Sequence, residues 1–397
     1  MLLTILLPCR DEADTVADCV LAARALLTRR AVDGEVLVVD NASTDGSGAR
    51  ARAAGARVVE APEPGYGSAL NVGIAHARGR FTIMADCDGS YDLAAADALL
   101  DRLLAGDELV VGDRFAGGIA PGAMPWLHRY VGNPVLSWLG RRLFGVTLRD
   151  LHCGLRGFDT RRVRALDLRT TGMEWATEMI VAAATAGMRI GEVPVPLHVD
   201  RRRGRPHLRT WADGWRHLRL LLLLSPRWLF LYPGVVATGL GLVATTVLSL
   251  TPVRIGRFGF DIATLLYAAA LTLLGHGLLW FAAISERLAG RLGVGTRPAR
   301  TAPVWWPGWR LERGLVVGGV LAAGGIALAV ASLVRWRAAG FAAVDPTTTV
   351  RIVVPAVLSL VLGVQMAFSS LLLSVVDLPT RAAAPDVAAD VPRRWAA

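Results

Sequence analysis

The chain reads as an α/β protein, a doubly wound domain followed by a transmembrane domain of about four helices. Three features predict this. Apolar runs of strand length alternate with helical spacing up to about Arg219. Polar clusters recur where those runs end. After Ser225 the character changes, and long uncharged stretches take over. A hydrophobic content of 53% over 397 residues, with positive mean hydropathy, exceeds what one ordinary soluble domain carries. The expected divisions are 1–209 for the α/β domain, 210–226 for an amphipathic interfacial helix, 227–378 for the membrane domain, and 379–397 for a disordered tail rich in Ala, Pro and Asp.

Taken in order, Leu2–Leu7 predicts a strand and Ala13–Leu27 a helix. Glu35–Asp40 is a buried strand, Ser47–Ala54 a helix and Arg57–Glu60 a short strand. Ser68–Ala77 follows as a helix, Phe81–Ala85 as a buried strand, Ala94–Leu104 as a helix and Leu109–Val111 as a further strand. Strands alternating with helices wind a sheet with right-handed crossovers, and such sheets hold ligands at the carboxyl ends of their strands.

The polar residues fall at those ends. Pro8-Cys9-Arg10-Asp11-Glu12 follows the first strand, and Asp40-Asn41-Ala42-Ser43-Thr44-Asp45-Gly46-Ser47 the second. Gly112-Asp113-Arg114-Phe115 follows the fifth. Each alone could be turn and cap chemistry; together along one sheet edge they mark a site. At its centre the strand ending in Met84-Ala85 runs into Asp86-Cys87-Asp88. Alternation along extended backbone sends Asp86 and Asp88 to the same side. Paired hard oxygens suit Mg²⁺ or Mn²⁺ when the ion also holds a diphosphate.

Pro64-Gly65-Tyr66-Gly67-Ser68 precedes a helix, and its bare amides predict a phosphate cradle. It matches neither the Gly-x-Gly-x-x-Gly fingerprint nor a Gly-Lys-Ser/Thr loop, so nicotinamide cofactors and ATP hydrolysis lose support. Asn occurs only at 41, 71 and 133, in or beside these stretches, which suggests specific work for those side chains.

The net charge is +10, and every basic residue is Arg. The Arg residues crowd at 201–219 and around the apolar runs, a pattern that fits anionic lipid headgroups better than nucleic acid. Cys9, Cys19, Cys87 and Cys153 form no Cys-x-x-Cys and read as free thiols. The opening residues lack a basic leader and read as a strand, which keeps the first domain in the cytoplasm.

Trp228–Leu250, Ile262–Ser285, Gly314–Val334 and Ile352–Val376 are uncharged runs long enough to span a bilayer. Four spans put both termini on one side. The Arg-rich segments 201–219 and 287–313 then share the side of the α/β domain, the cytoplasmic side by the positive-inside bias; the loop with Arg335, Arg337 and Arg351 is a mild exception. Thr210–Leu224 carries Trp211, Trp215 and His217 beside Arg216 and Arg219, and reads either as a helix in the headgroup layer or as a linker helix packed on the domain. Trp305-Trp306-Pro307-Gly308-Trp309 reads as a second interfacial anchor, and Gly314 with Gly318 as a helix-packing pair. No span carries a charge in its middle, so an ion-driven transporter lacks support.

These pieces resemble family-2 glycosyltransferases of the GT-A fold, in particular the polyprenyl-phosphate sugar synthases such as dolichyl-phosphate mannose synthase. The resemblance covers about the first 225 residues. It rests on Pro8–Glu12, Asp40–Ser47, Gly65–Gly73, Asp86-x-Asp88 with Gly-Ser-Tyr-Asp, Gly112–Phe115, Asp150–Phe158 and Gly172–Arg219. The resemblance implies that Pro8, Arg10 and Glu12 line the nucleotide pocket, that Asp40 contacts the base, and that Asp86 and Asp88 hold the metal on the donor diphosphate. Arg114, Arg129 and Arg202 become candidates to grip a lipid phosphate, with Arg201 and Arg203 competing for the last role. Two positions depart from the pattern. Asp40-Asn41-Ala42-Ser43 stands where the family often has Asp-Asp-Gly-Ser, which leaves the base open. Ser90 stands where dolichyl-phosphate mannose synthases have Gln, which leaves the third metal ligand open.

The function so implied is inverting transfer of a hexose, mannose or glucose, from a nucleotide-diphosphate sugar to an undecaprenyl- or dolichyl-type phosphate. An anionic acceptor needs no strong general base, which suits a site rich in Arg; among the residues that could serve as one, His152 and Glu178, the former reads as a satisfied structural His. The alternatives are a lipid-linked oligosaccharide or glycolipid acceptor, and a catalytically silent scaffold. A processive synthase loses support because its Gln-x-x-Arg-Trp motif is absent. The sugar, the nucleotide, the metal and the oligomeric state are not encoded legibly.

Overall fold

The computed structural model describes residues 1–202, 210–292 and 310–378; Arg203, the Trp305–Trp309 stretch and the 379–397 tail lie outside the described residues. The chain divides into two compact units, with the boundary between Trp228 and Leu229.

In the first unit the elements run β1 (Leu3–Cys9), α1 (Val16–Arg29), β2 (Gly34–Asp40), α2 (Ser47–Ala53), β3 (Arg57–Glu60), α3 (Tyr66–His76), β4 (Phe81–Met84), α4 (Ala96–Leu104), β5 (Leu109–Asp113) and α5 (Arg114–Gly117). They continue α6 (Asn133–Phe144), β6 (Arg156–Asp159), α7 (Thr160–Arg164), α8 (Trp175–Thr185), β7 (Ile190–Pro194) and α9 (Thr210–Leu223). The seven strands form one sheet in the order β3-β2-β1-β4-β6-β5-β7. All seven residues of β1 are buried, as a central strand covered on both faces requires. α1 buries Val16, Val20, Ala23 and Leu26, one stripe at helical spacing.

The sheet is mixed. β6 runs antiparallel to both β4 and β5, while β7 is parallel to β5. The periodicity did not predict β6 or β7: Arg156-Gly-Phe-Asp159 is short and bounded by charges, so no apolar run announces it. Arg156 is nevertheless fully buried, because its guanidinium is spent on the carbonyls of Leu151, Cys153 and Ala176.

The second unit holds α10 (Tyr232–Leu250), a hairpin of β8 (Val253–Ile255) and β9 (Phe258–Phe260), α11 (Ile262–Leu292), α12 (Leu311–Ala338) and α13 (Pro346–Val376). Four helices, Arg227–Leu250, Ile262–Ala289, Leu311–Ala338 and Pro346–Val376, are long and apolar enough to cross a membrane. Glycines let these helices approach closely. A Cβ on Gly318 would stand 2.6 Å from the Gly363 carbonyl, and one on Gly363 would stand 2.4 Å from that of Gly318.

Candidate active site

The loops that follow β1, β2 and β4 meet at one edge of the sheet, and hydrogen bonds between side chains and backbone stitch them together. The Asp11 amide donates to Ser43 Oγ (3.0 Å), the Glu12 amide to Ser47 Oγ (2.8 Å) and the Ala13 amide to Asp45 Oδ2 (2.8 Å). Pro8 is buried on β1 opposite Val39, and Arg10 is exposed just beyond the strand. Asp40, at the end of β2, accepts from the Ser43 amide at 3.0 Å.

Asp86 and Asp88 leave β4 into surroundings that differ. Asp86 Oδ1 accepts from the Tyr66 hydroxyl at 2.9 Å. Burial, then the charge of Asp88, pushes the Asp86 carboxyl up to about 6. Asp88 Oδ1 accepts from the Ser90 amide (2.9 Å), and its Oδ2 lies 3.4 Å from Arg202 Nη2. Ser90 itself is buried.

Arg202 is the centre of charge. Its Nη2 reaches Glu12 at 3.0 Å, Asp88 at 3.4 Å and Asp200 at 3.4 Å. Its Nε and Nη1 are buried and have no hydrogen-bond partner among the described residues. Burial outweighs the neighbouring guanidinium at Glu12, whose carboxyl is pushed up to about 7. Arg201 is tied through its backbone, the amide donating to the Asp88 carbonyl at 3.0 Å.

The other two arginines sit differently. Arg114 is buried and closes its fork on fully buried Asp150, with Nε at 2.6 Å and Nη2 at 2.9 Å. Two donors of this candidate phosphate grip are therefore engaged within the protein. Arg129 lies on the turn before α6, its guanidinium 5.5 Å from the ring centre of exposed Tyr130.

The expected phosphate cradle is also occupied. The Gly65 amide donates to Asn41 Oδ1 (2.8 Å), and the Gly67 and Ser68 amides both donate to the Thr171 carbonyl (2.9 and 3.2 Å). Gly65 and Gly67 serve close packing instead: a Cβ on either would stand 2.3 Å from a carbonyl oxygen, of Thr171 and Thr170 respectively. The scarce asparagines are explained in part. Asn41 grips the Glu63 carbonyl and the Gly65 amide, and Asn71 accepts from the Trp175 indole at 2.7 Å.

Of the two residues that could pass for a base, Glu178 is spent within the protein and His152 is buried and neutral. Glu178 accepts from the amides of Arg169 and Thr170 and from the Thr170 hydroxyl, so it anchors a loop. His152 is not the satisfied histidine that was expected: its Nδ1 is buried without a partner among the described residues. It stands edge-on to His217 of α9, and the Thr177 hydroxyl joins both rings. Burial keeps both imidazoles neutral, His217 at about 4 and His152 well below its ordinary value. α9 thus buries His217, Asp213 and Leu221 while Trp211 (81%) and Trp215 (58%) remain exposed. The turn before α6 and α6 itself add exposed Trp126, Tyr130 and Trp138, a second aromatic face that the sequence did not announce.

Sequence reasoning also missed Tyr66, Asp150 and Gly154 as parts of the site. A Cβ on Gly154 would stand 2.2 Å from Asp86 Oδ2, so only glycine fits beneath that carboxylate. The Asp150–Phe158 stretch matched as a motif, but nothing in spacing says that it folds against Asp86.

The donor set fits a hard divalent cation. Asp86 and Asp88 offer only carboxylate oxygens, and burial together with the charge of Asp88 raises the Asp86 carboxyl, a penalty that a bound cation would relieve. No three His, Cys, Asp or Glu side chains converge as a self-sufficient metal site among the described residues, so a cation held by Asp86 and Asp88 would complete its shell with water or phosphate oxygens.

The fold and this edge are those of a glycosyltransferase of the GT-A class, and the chain adds a unit of four apolar helices. A glycosyltransferase family 2 model matches residues 4–166, and a model of the glycosyltransferase family 2 C-terminal transmembrane region matches residues 283–377. The chain is 34% identical over 377 residues to the low-salt glycan biosynthesis hexosyltransferase Agl6 of Haloferax volcanii, covering 94% of this chain and 88% of that one. It is 32% identical to a dolichyl-phosphate hexose transferase of the same organism, over 47% of this chain and 79% of the relative. It is 31% identical to an undecaprenyl-phosphate mannosyltransferase of Micrococcus luteus, over 41% of this chain and 71% of the relative. The chain belongs to glycosyltransferase family 2 and is an integral membrane protein.

Proposed function

We propose that this enzyme transfers a hexose, mannose or glucose, from a nucleotide-diphosphate sugar to a polyprenyl phosphate, with inversion at the anomeric carbon and with its α/β unit on the cytoplasmic face. The observation that carries the reading is Arg202, whose buried Nε and Nη1 lack partners among the described residues beside Asp88. Buried guanidinium N–H groups left unbonded are costly, and anionic phosphate oxygens are what satisfies them. The names of the two lipid-phosphate relatives support the acceptor class.

In this reading Pro8, Arg10, Glu12 and Asp40 line the nucleotide pocket, and Asp86 and Asp88 would hold Mg²⁺ or Mn²⁺ against the diphosphate. The cation neutralises phosphate charge and makes the nucleoside diphosphate a better leaving group. An oxygen of the acceptor phosphate attacks the anomeric carbon opposite the diphosphate. The bond from that carbon to the diphosphate oxygen breaks, and its electron pair leaves with the nucleotide. The acceptor is already anionic near neutral pH, so no proton has to be removed. Arg202, with Arg129, offsets the charge of two anions brought together. The exposed tryptophans of α9 and the aromatic face near α6 suit the headgroup layer, where a lipid phosphate enters.

A second reading has one observation in its favour. Glu12, pushed up to about 7, is poised to act as a general base, which a hydroxyl acceptor on a lipid-linked glycan requires. Labelled UDP-glucose, GDP-mannose and related donors, offered one at a time with polyprenyl phosphate and Mg²⁺ or Mn²⁺, separate the readings. Label in the organic phase, abolished by chelation and by Asp88→Ala, supports the proposal. Donor binding or hydrolysis without such a lipid favours the hydroxyl acceptor. No donor binding favours a silent scaffold and overturns both.

A further inference from the structure

The Gly65-Tyr66-Gly67 turn spends its amides on the protein, which leaves the tyrosine itself to be explained. We propose that Tyr66 is a positioning residue for the cation ligand Asp86: its hydroxyl fixes one carboxylate oxygen so that the other is presented to the metal. The proposal rests on the reading of Asp86 and Asp88 as cation ligands.

Tyr66 Oη donates to Asp86 Oδ1 at 2.9 Å, and no hydrogen bond reaches Oδ2 among the described residues. The opposite side of the carboxylate is equally constrained. Gly154 lies so close that a Cβ there would stand 2.2 Å from Oδ2 and 3.2 Å from the Tyr91 ring. The Gly154 amide donates to the Tyr91 hydroxyl at 2.9 Å, which fixes that backbone in turn. The carboxylate therefore has a hydroxyl on one oxygen and glycine backbone against the other, and it has little freedom to rotate.

Tyr66 is held just as firmly. Asn41 grips the chain before it, accepting from the Gly65 amide and donating to the Glu63 carbonyl, both at 2.8 Å. The Thr171 carbonyl holds the chain after it through Gly67 and Ser68. Gly65 adopts φ +147°, where a side chain would be strained and would also strike Thr171. A turn held this way, with the Gly65, Gly67 and Ser68 amides already bonded, is a suitable mount for a hydroxyl that must not move. Partners of this kind orient ligating carboxylates, and their loss typically weakens metal affinity ~10–100-fold.

The test uses the full chain in detergent with Mn²⁺ and saturating UDP or GDP, following free Mn²⁺ by electron paramagnetic resonance, with melting temperature and kcat measured in parallel. Tyr66→Phe removes one oxygen and no volume. It is expected to raise the Mn²⁺ concentration for half-saturation about tenfold, with melting temperature unchanged. Gly154→Ala, which displaces the same carboxylate sterically, is expected to raise it further. Wild-type Mn²⁺ binding by Tyr66→Phe overturns the proposal. So does a loss of kcat at saturating Mn²⁺ together with a lower melting temperature, which marks a merely structural role. Wild-type protein that takes up no Mn²⁺, or takes it up equally well as Asp88→Ala, overturns the cation reading and this inference with it.

Discussion

The two units of the chain bury opposite things. In the α/β unit Leu3, Ile5, Leu6 and Leu7 are fully buried, and the two charged side chains with no exposure at all, Arg156 and Asp150, go in hydrogen-bonded. In the membrane unit Leu240 (63%), Leu274 (68%) and Phe368 (69%) face outward, while Gly318, Thr245, Thr272 and Ser370 are inside. The polar trio His276, Gln365 and Trp280 is bonded together within that unit, with Nδ1 to Oε1 at 3.0 Å and indole to Nε2 at 3.2 Å. The difference identifies the solvent. Against water an exposed leucine forfeits burial energy; against lipid it forfeits nothing, and the unmade hydrogen bond becomes the expensive item.

Substitutions in the two units should therefore fail in different ways. The largest effect is expected at Asp88. Asp88→Ala should lower sugar transfer by at least ~1000-fold, the scale on which transition-state charge stabilisation is lost, with melting temperature retained; near-normal turnover would remove Asp88 from the site. Next comes the buried pair Arg114–Asp150. Arg114→Ala should cost about 3–5 kcal/mol of stability by stranding Asp150, and Arg114→Met with Asp150→Leu should recover most of it in a denaturant titration. Loss of turnover with no loss of stability would instead place Arg114 on the substrate. In the membrane unit Gly363→Leu should destabilise by about 1–3 kcal/mol through overpacking against Gly318, read by unfolding in mixed micelles.

The pH response should come from the first unit alone. Asp86 and Glu12 titrate at about 6 and about 7, both above the unfolded carboxylate values. Protonation competes with a cation, so the donor KM should rise roughly tenfold per pH unit below about 6. For the metal-free protein the sign is reversed. The folded state holds these protons more tightly, so its stability should fall as pH rises from about 4 to about 7. A donor KM that is flat between pH 5 and 7 would contradict the assignment. The smallest effect is expected at Gln365→Leu, where an intramembrane hydrogen bond contributes about 0.6 kcal/mol; a loss of several kcal/mol would mark a functional rather than a packing contact.

The legible parts of the sequence were those with a period. β1, β2 and β4 and the helices between them follow from apolar spacing, and with them the strand ends where Glu12, Asp40, Asp86 and Asp88 lie. The four spans follow from uncharged length. What stayed hidden has no period. β6 is four residues long with charged ends, and it carries Arg156, with Gly154 two residues before it, into place only through pairing across the sheet. The Gly-Tyr-Gly turn looked like a phosphate cradle because the loop before a helix usually leaves its amides bare. Here Thr171, more than a hundred residues along the chain, takes two of them. Arg114 looked free because its partner Asp150 lies thirty-six residues away. Local pattern locates a site; which donors remain unspent is a tertiary fact.

The central claim is that Arg202 and the paired carboxylates serve a phosphate acceptor. Its most direct test is the mass of the lipid formed when purified enzyme in lipid receives polyprenyl phosphate, a divalent cation and the donor it accepts. The account predicts one new species, the acceptor carrying a single hexose on its phosphate, absent with Arg202→Met and with chelator. Recovery of unchanged polyprenyl phosphate, with the hexose attached instead to a hydroxyl of a lipid-linked glycan or released free, would contradict it.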